Sequence, residues 1–199
     1  YIPNRIEDGY GASKKLFQKL ILKNPKLVIM VDCGSNSIDA VDFLRQNNIK
    51  SIIIDHHEIN RPYPKSDALI NPKKNTFKKD HAILCATTLT YFLLDILIKK
   101  DKSNFKLSKF LIYVLLATIC DVMPLRKINK IIAINTIKDF NIKDYAAFNF
   151  IFNKNDIKKK ISIEDLGFLI GPIINAGGRL SYSNYGVELL SYDNQEIIK

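Results

Sequence analysis

Leu27-Val28-Ile29-Met30-Val31-Asp32-Cys33-Gly34 and, further along, Ser51-Ile52-Ile53-Ile54-Asp55-His56-His57 are the stretches whose reading decides the fold. Each opens with a short apolar run rich in β-branched residues and bounded by polar turns, the pattern of a strand. Between them Asp39 to Asn48 has the spacing of an amphipathic helix, so the unit reads as β-α-β. Continuous apolar runs of this kind are expected to be buried on both faces of a parallel sheet, and ligand sites in such sheets lie beyond the carboxyl ends of the strands. Both runs end there in an acid, Asp32 and Asp55, the second followed by His56 and His57.

From His81 onward the periodicity becomes helical. Helices are expected over Ala82 to Lys99, Leu107 to Cys120, Lys127 to Asp139, Tyr145 to Phe152 and Ser162 to Leu169. An α-rich half thus follows an α/β half. The lysine-rich joins Lys99 to Lys106 and Lys154 to Lys160 read as exposed connections, too short for flexible linkers.

The most apolar stretch, Ala82 to Ile98, carries Thr87, Thr88, Thr90 and Asp95, which are costly in lipid, so it is expected to be a buried helix and no membrane partner is expected. Cys33, Cys85 and Cys120 stand far apart, with no metal-binding or disulfide-framework spacing, which points to a reducing, cytoplasmic setting. The chain opens at Tyr1 without a signal segment, so its natural N-terminus is expected elsewhere. A formal net charge of +10 favours an anionic partner. Only five of the 30 basic residues are Arg, and richness in Ile, Asn and Lys inflates charge everywhere, so the charge by itself does not single out nucleic acid.

The chemistry sits in three places. Two imidazoles and a carboxylate at the end of a buried strand, Asp55-His56-His57, are awkward to desolvate unless a metal or a phosphate compensates them. Mixed nitrogen and oxygen donors suit Mn²⁺, Fe²⁺ or Zn²⁺; a solvated loop is the bland alternative. Asp32, where a strand meets a Gly turn, is placed either to bind a ligand or to cap the helix starting near Ser37. Asp121 follows an apolar helix and precedes Val122-Met123-Pro124. A helix C-terminus disfavours negative charge, so that carboxylate calls for a cation or a nearby N–H.

Tyr1-Ile2-Pro3-Asn4-Arg5, Gly9-Tyr10-Gly11, Val31-Asp32-Cys33-Gly34, Asp55-His56-His57, Asn71-Pro72, Asp121-Val122-Met123-Pro124-Leu125 and Gly171-Pro172-Ile173-Ile174-Asn175-Ala176-Gly177-Gly178-Arg179-Leu180 occur in this order. Together they resemble the RecJ-like exonucleases, single-strand-specific nucleases of the DHH phosphoesterase superfamily, from Tyr1 to the region of Asp193. The resemblance implies an α/β fold: a parallel-sheet DHH phosphoesterase domain over residues 1–125, then an α-rich segment, residues 126–199, leading to a C-terminal domain that the chain does not contain.

It further implies a metal-dependent 5′-to-3′ exonuclease that cuts single-stranded DNA to 5′-mononucleotides in DNA repair and recombination. Asp32, His56 and Asp121 would be metal ligands, with Asp32 bridging two ions; Mn²⁺ is expected, with Mg²⁺ as the alternative. His57 would contact the scissile phosphate and Asp55 would orient the histidines. Arg5 would recognise the 5′-terminal phosphate, and Asn175 and Arg179 would contact the DNA backbone or reacting phosphate, a role suited to the planar guanidinium. Single-stranded DNA with a 5′ end is the implied partner, joined by a single-strand-binding protein or a helicase.

The match has gaps. The family's first motif, Asp-x-Asp-x-x-Gly, is absent, and Ile173 stands where its relatives carry a basic residue. This chain alone is therefore expected to have an incomplete metal centre and to be inactive. Two other functions compete: a DHH phosphodiesterase acting on short oligonucleotides or nucleotides, and a non-catalytic DNA-binding relative.

Overall fold

The computed structural model describes residues 1–4, 6–74, 79–179 and 183–192, without the side chains of residues 79, 178 and 179. Ser13 starts the first helix, α1 (Lys14–Leu20), by accepting the Leu16 N–H on its hydroxyl at 3.1 Å. The sheet begins with β1 (Leu27–Val31), crosses through α2 (Ile38–Gln46) and returns as β2 (Lys50–Ile54). The two strands run parallel, with Leu27 opposite Lys50 and Val31 opposite Ile54, so the β-α-β unit is present in the expected place. A third strand, β3 (Ala68–Ile70), pairs parallel to β2 with Ile54 opposite Ile70. Among the described residues the order is β1-β2-β3.

Burial of the strands differs from the expectation. In the central β2, Ile53 and Ile54 are fully buried, but β1 leaves Leu27, Ile29 and Val31 half exposed and buries only Met30. The reason is the face each residue takes: Leu27, Ile29 and Val31 alternate onto one side of β1, while on the other side Met30 joins Leu16, Phe17, Ala40, Val41, Leu44 and Ile53 in one apolar cluster. Ala40, Val41 and Leu44 form a single face of α2, as its amphipathic spacing demands.

The second half is helical: α3 (Ala86–Asp101), α4 (Leu111–Cys120), α5 (Lys127–Asp139), α6 (Ala146–Lys154), α7 (Ile163–Asp165), α8 (Gly171–Arg179) and α9 (Tyr185–Ser191). α3 starts later than expected, because Ile83, Leu84 and Cys85 enter the core ahead of the first turn, Cys85 in extended conformation. A 3₁₀ turn over Leu107–Phe110 takes the place of the expected opening of α4. The second core joins Ile112, Leu115 and Leu116 of α4 to Phe148, Ile151, Leu166 and Ile170, with Phe140 stacked on Tyr145 at 4.9 Å beside Phe148. Among the described residues no helix is long and apolar enough to cross a membrane.

The expected helix from Ser162 to Leu169 continues further, to Arg179. Ser162 and Asp165 form a reciprocal cap at its start, the Ser162 hydroxyl accepting the Asp165 N–H while the Asp165 carboxylate accepts the Ser162 N–H. A π turn over Leu166–Ile170 then separates α7 from α8. Gly167 and Gly171 bring this turn against the end of α4. A Cβ at Gly171 would lie 2.6 Å from Cys120 Sγ, and one at Gly167 3.1 Å from Ile119. Widened turns of this kind gather at functional sites, and this one lies beside Asp121.

Candidate metal centre

The carboxyl ends of β1 and β2 deliver the first two groups. The Asp32 N–H still donates to Ile54 O at 2.9 Å, so the residue is anchored by the strand ladder, yet its φ of +63° turns the chain sharply out of the sheet. A left-handed backbone at a non-glycine residue is strained and concentrates at functional sites. Gly34, at φ +106°, completes the turn, and a Cβ there would press on Met30 Sδ at 3.1 Å, so its smallness serves the sheet core. Asp55 follows β2, its N–H donating to Ile70 O of β3.

Asp32 Oδ1 lies 3.2 Å from His56 Nε2, and Asp121 Oδ2 lies 3.7 Å from the same nitrogen. Each of Asp32, His56 and His57 offers a ligand atom within 4.8 Å of the others. Asp121 arrives from the opposite side, as the residue that ends α4; its N–H donates to Ala117 O at 2.9 Å, and Val122 behind it is left-handed at φ +52°. Asp32 does not cap α2, whose start at Ser37 has no side-chain cap.

Asp55 is buried behind the histidines. Its Oδ1 accepts the backbone N–H groups of His56 (2.8 Å) and His57 (3.2 Å) and meets His57 Nδ1 at 2.7 Å; its Oδ2 accepts the Ser35 N–H at 3.0 Å. Burial pushes its carboxyl up, but hydrogen bonds from the His57 ring, the Ser35 side chain and the two loops' amides outweigh this and hold it at about 2. An ionised Asp55 makes His57 Nδ1 the donor and leaves Nε2 with its lone pair.

The charges around His56 are unbalanced. Its imidazole is held above the usual range, chiefly by the hydrogen bond to Asp32 and against the effect of burial, with the charges of Asp32, Asp121 and Asp55 adding to it. Asp121 is pushed up by burial and then by the nearby Asp32 charge, against the pull of the two histidines. A neutral imidazole presenting its lone pair to two carboxylate oxygens would be repelled, so a proton or a metal ion must occupy the space between them. His56 Nδ1 is buried without a hydrogen-bond partner among the described residues, which leaves Nε2 as the atom through which the ring acts. The donor set of one imidazole nitrogen and two carboxylates fits a divalent transition ion, and the half-exposed Asp32 keeps one side open to solvent and substrate.

That open side is a cleft of about 890 Å³ between the sheet edge and the helices. Asp32 and Asp121 line it together with Pro3, Tyr113, Leu190 and Asn175, so Asn175 faces the same space as the acids. Arg5 and the side chain of Arg179 lie outside the described residues. Tyr10 is 83% exposed, a surface position.

Three buried polar residues around the site carried no role in the sequence reading. Ser35 and Asn71 are tied to the Asp55-His56-His57 turn, and Asn129 donates from Nδ2 to Ile83 O at 2.8 Å and Pro124 O at 3.1 Å, fastening the turn after Asp121 to the entry of α3. Asn71 had a visible signal, since Asn71-Pro72 follows an apolar triplet; Asn129, within α5, had none.

The sheet and the site define the class: the chain belongs to the DHH family, whose N-terminal domain matches residues 1–119. Within that family its relatives are RecJ proteins. It is 32% identical over 95% of its length to the single-stranded-DNA-specific exonuclease RecJ of Haemophilus influenzae, and 30% identical over 97% to that of Escherichia coli. The chain spans about a third of the length of these relatives, 35% and 36% respectively. Its fold matches a crystal structure of exonuclease RecJ bound to manganese with a TM-score of 0.85 at 22% identity, covering all of this chain and 50% of that one. RecJ from Thermus thermophilus in complex with Mn²⁺ matches with a TM-score of 0.75 at 20% identity, over 89% of this chain and 26% of that one.

Proposed function

We propose that this chain carries the metal-binding core of a phosphodiesterase that degrades single-stranded DNA from a 5′ end, releasing 5′-mononucleotides. The observation that carries the reading is the meeting of Asp32 and Asp121 at His56 Nε2 beyond the carboxyl ends of parallel strands. The similarity to RecJ exonucleases supports the substrate class. Asp32, His56 and Asp121 would hold divalent metal, Mn²⁺ being favoured by the mixed donors and by the manganese in both similar crystal structures. Two ions with Asp32 between them belong to the same reading, with Mg²⁺ as the alternative.

Bound divalent ions supply positive charge against the phosphoryl oxygens and make water more acidic. The chain's own residues do the rest. Asp55 holds the His57 ring through Nδ1, so that its Nε2 edge would contact the scissile phosphate. Arg5 and Arg179 would take phosphate oxygens in bidentate fashion, and Asn175 would reach the nucleic-acid backbone from the wall of the cleft. Residues 1–125 would form the phosphoesterase unit and residues 126–199 a helical connecting segment. A role in DNA repair and recombination, a cytoplasmic setting, and a single-strand-binding protein or helicase as partner complete the proposal.

The test is an assay on 5′-labelled and 3′-labelled single-stranded DNA with Mn²⁺, using a protein that carries this chain at the full length of its relatives. Release of 5′-mononucleotides starting from the 5′ end is the expected result. Hydrolysis of dinucleotides with no attack on longer strands would transfer the site to short oligonucleotides, and DNA binding without any hydrolysis would make it a non-catalytic module.

A further inference from the structure

Asn71 is the first residue beyond β3 and is fully buried. Its carboxamide is used on every side. Nδ2 donates to Ser35 Oγ at 2.7 Å and to the His57 carbonyl at 2.9 Å, while Oδ1 accepts the Lys73 N–H at 2.8 Å. Only the last of these is local. The two donated bonds reach separate loops, one following Asp32 and the other containing His56.

Ser35 is itself buried, and its N–H binds the Asp55 carboxylate. The turn after β1 and the turn after β2 are therefore joined next to the ligands directly from Ser35 to Asp55 and through the Asn71 side chain, and further out by Asn36, which donates to Glu58 O and accepts the Asn60 N–H. Beyond their strand ladders, Asp32 and His56 project from these two turns, and the Asp32 turn bends out of the sheet through a strained left-handed residue. Strain of that kind persists only when the surroundings over-determine it. The Asn71 amide, with both N–H groups committed, supplies such a constraint, and it comes from the neighbouring strand and not from either turn.

We propose that Asn71 is a positioning residue for the metal centre: its buried carboxamide clamps the Asp32-to-Ser35 turn to the Asp55-His56-His57 turn and so sets the spacing between Asp32 and His56. This rests on the metal-site reading above and adds a residue that touches neither metal nor substrate. A residue that merely ended β3 would need only the Lys73 bond. Outer groups that orient metal ligands typically change metal affinity by about 10 to 100-fold when removed.

The experiment is Mn²⁺ binding followed by the paramagnetic resonance signal of free Mn²⁺, for the unaltered protein, Asn71→Asp, Asn71→Ala and Ser35→Ala, with thermal unfolding measured in parallel. Asn71→Asp keeps the shape but replaces both donors with acceptors facing Ser35 and the His57 carbonyl. Both Asn71 variants are expected to bind Mn²⁺ about 10 to 100-fold more weakly, and Ser35→Ala to lose less than they do. Leu44→Ala, a core change at the end of α2 beside the start of β2, serves as the control that lowers stability without moving Mn²⁺ affinity at temperatures where it is folded. Unchanged affinity in the Asn71 variants, with the unaltered protein binding Mn²⁺, overturns the clamp and leaves the metal reading intact. An unaltered protein that fails to bind Mn²⁺ overturns both. If the Asn71 variants do not fold, Ser35→Ala decides, and affinity unchanged there overturns the clamp.

Discussion

The two halves of the molecule bring their residues to the site by different physical means. Asp32, Asp55 and His56 stand at the ends of parallel strands, where main-chain bonds such as Asp32 N–H to Ile54 O fix them directly, and side chains from the neighbouring turns bind them to one another. Asp121 stands at the end of a helix, and its place depends on how α4 packs against α5, α6 and the π turn. The first half holds its ligands by hydrogen bonds and local geometry. The second holds its candidate ligand, Asp121, by apolar packing and by one buried amide, Asn129. A centre assembled from both is only as well placed as the packing of the helical side.

The largest effect is expected from His56, the group on which both halves converge. His56→Ala should abolish Mn²⁺ binding measured by calorimetry and leave the circular dichroism spectrum unchanged; binding that survives would detach the two halves from a common site. Leu115→Ala opens a cavity in the helical core, where Leu115 has no exposed surface, and should lower stability to urea by about 2–5 kcal/mol. It should also weaken Mn²⁺ binding through Asp121. A loss of stability with no change in Mn²⁺ affinity would show that Asp121 is placed independently of the core.

Acid should act on the strand side. Asp55 titrates at about 2 against an ordinary 3.8, a depressed value, so its share of stability is present above the unfolded value and is lost as pH falls from about 4 toward 2. The share is roughly 2 kcal/mol, and Asp55→Asn should remove that part of the pH dependence in urea titrations at acid pH. If the variant keeps the full slope, another carboxylate is responsible. Gly171→Ala should cost about 1–3 kcal/mol through overpacking against Cys120 Sγ, and Cys120→Ala in the same chain should recover part of it. Strict additivity of the two changes would mean that the π turn and α4 do not press on each other. Least of all, Lys99→Ala breaks an exposed ion pair to Asp95 within α3 and should change stability by no more than about 0.5 kcal/mol, with no effect on metal binding.

The same division governs what could be read from the sequence. β1, α2 and β2 were legible because β-branched runs and amphipathic spacing are local signals, and the acids and histidines at the strand ends were legible because parallel sheets put their sites there. β3 was not, since Ala68-Leu69-Ile70 is too short to show a period. The half-exposed face of β1 was also hidden, because an apolar run reads the same whether one face of a strand is covered or both. On the helical side α3 to α7 were visible but their ends were not, and α8 and α9 were not expected: buried non-helical residues precede α3, and the π turn depends on Gly167 and Gly171 meeting α4, a contact with no sequence period. The roles of Asn71 and Asn129 were hidden because the value of a buried amide lies in partners distant in sequence.

The most direct test is anomalous diffraction at the manganese edge from crystals of this chain soaked in Mn²⁺. An anomalous peak enclosed by Asp32, His56 and Asp121 is the predicted result. No peak at that position, or a peak on other residues with these three side chains unengaged, would contradict the account.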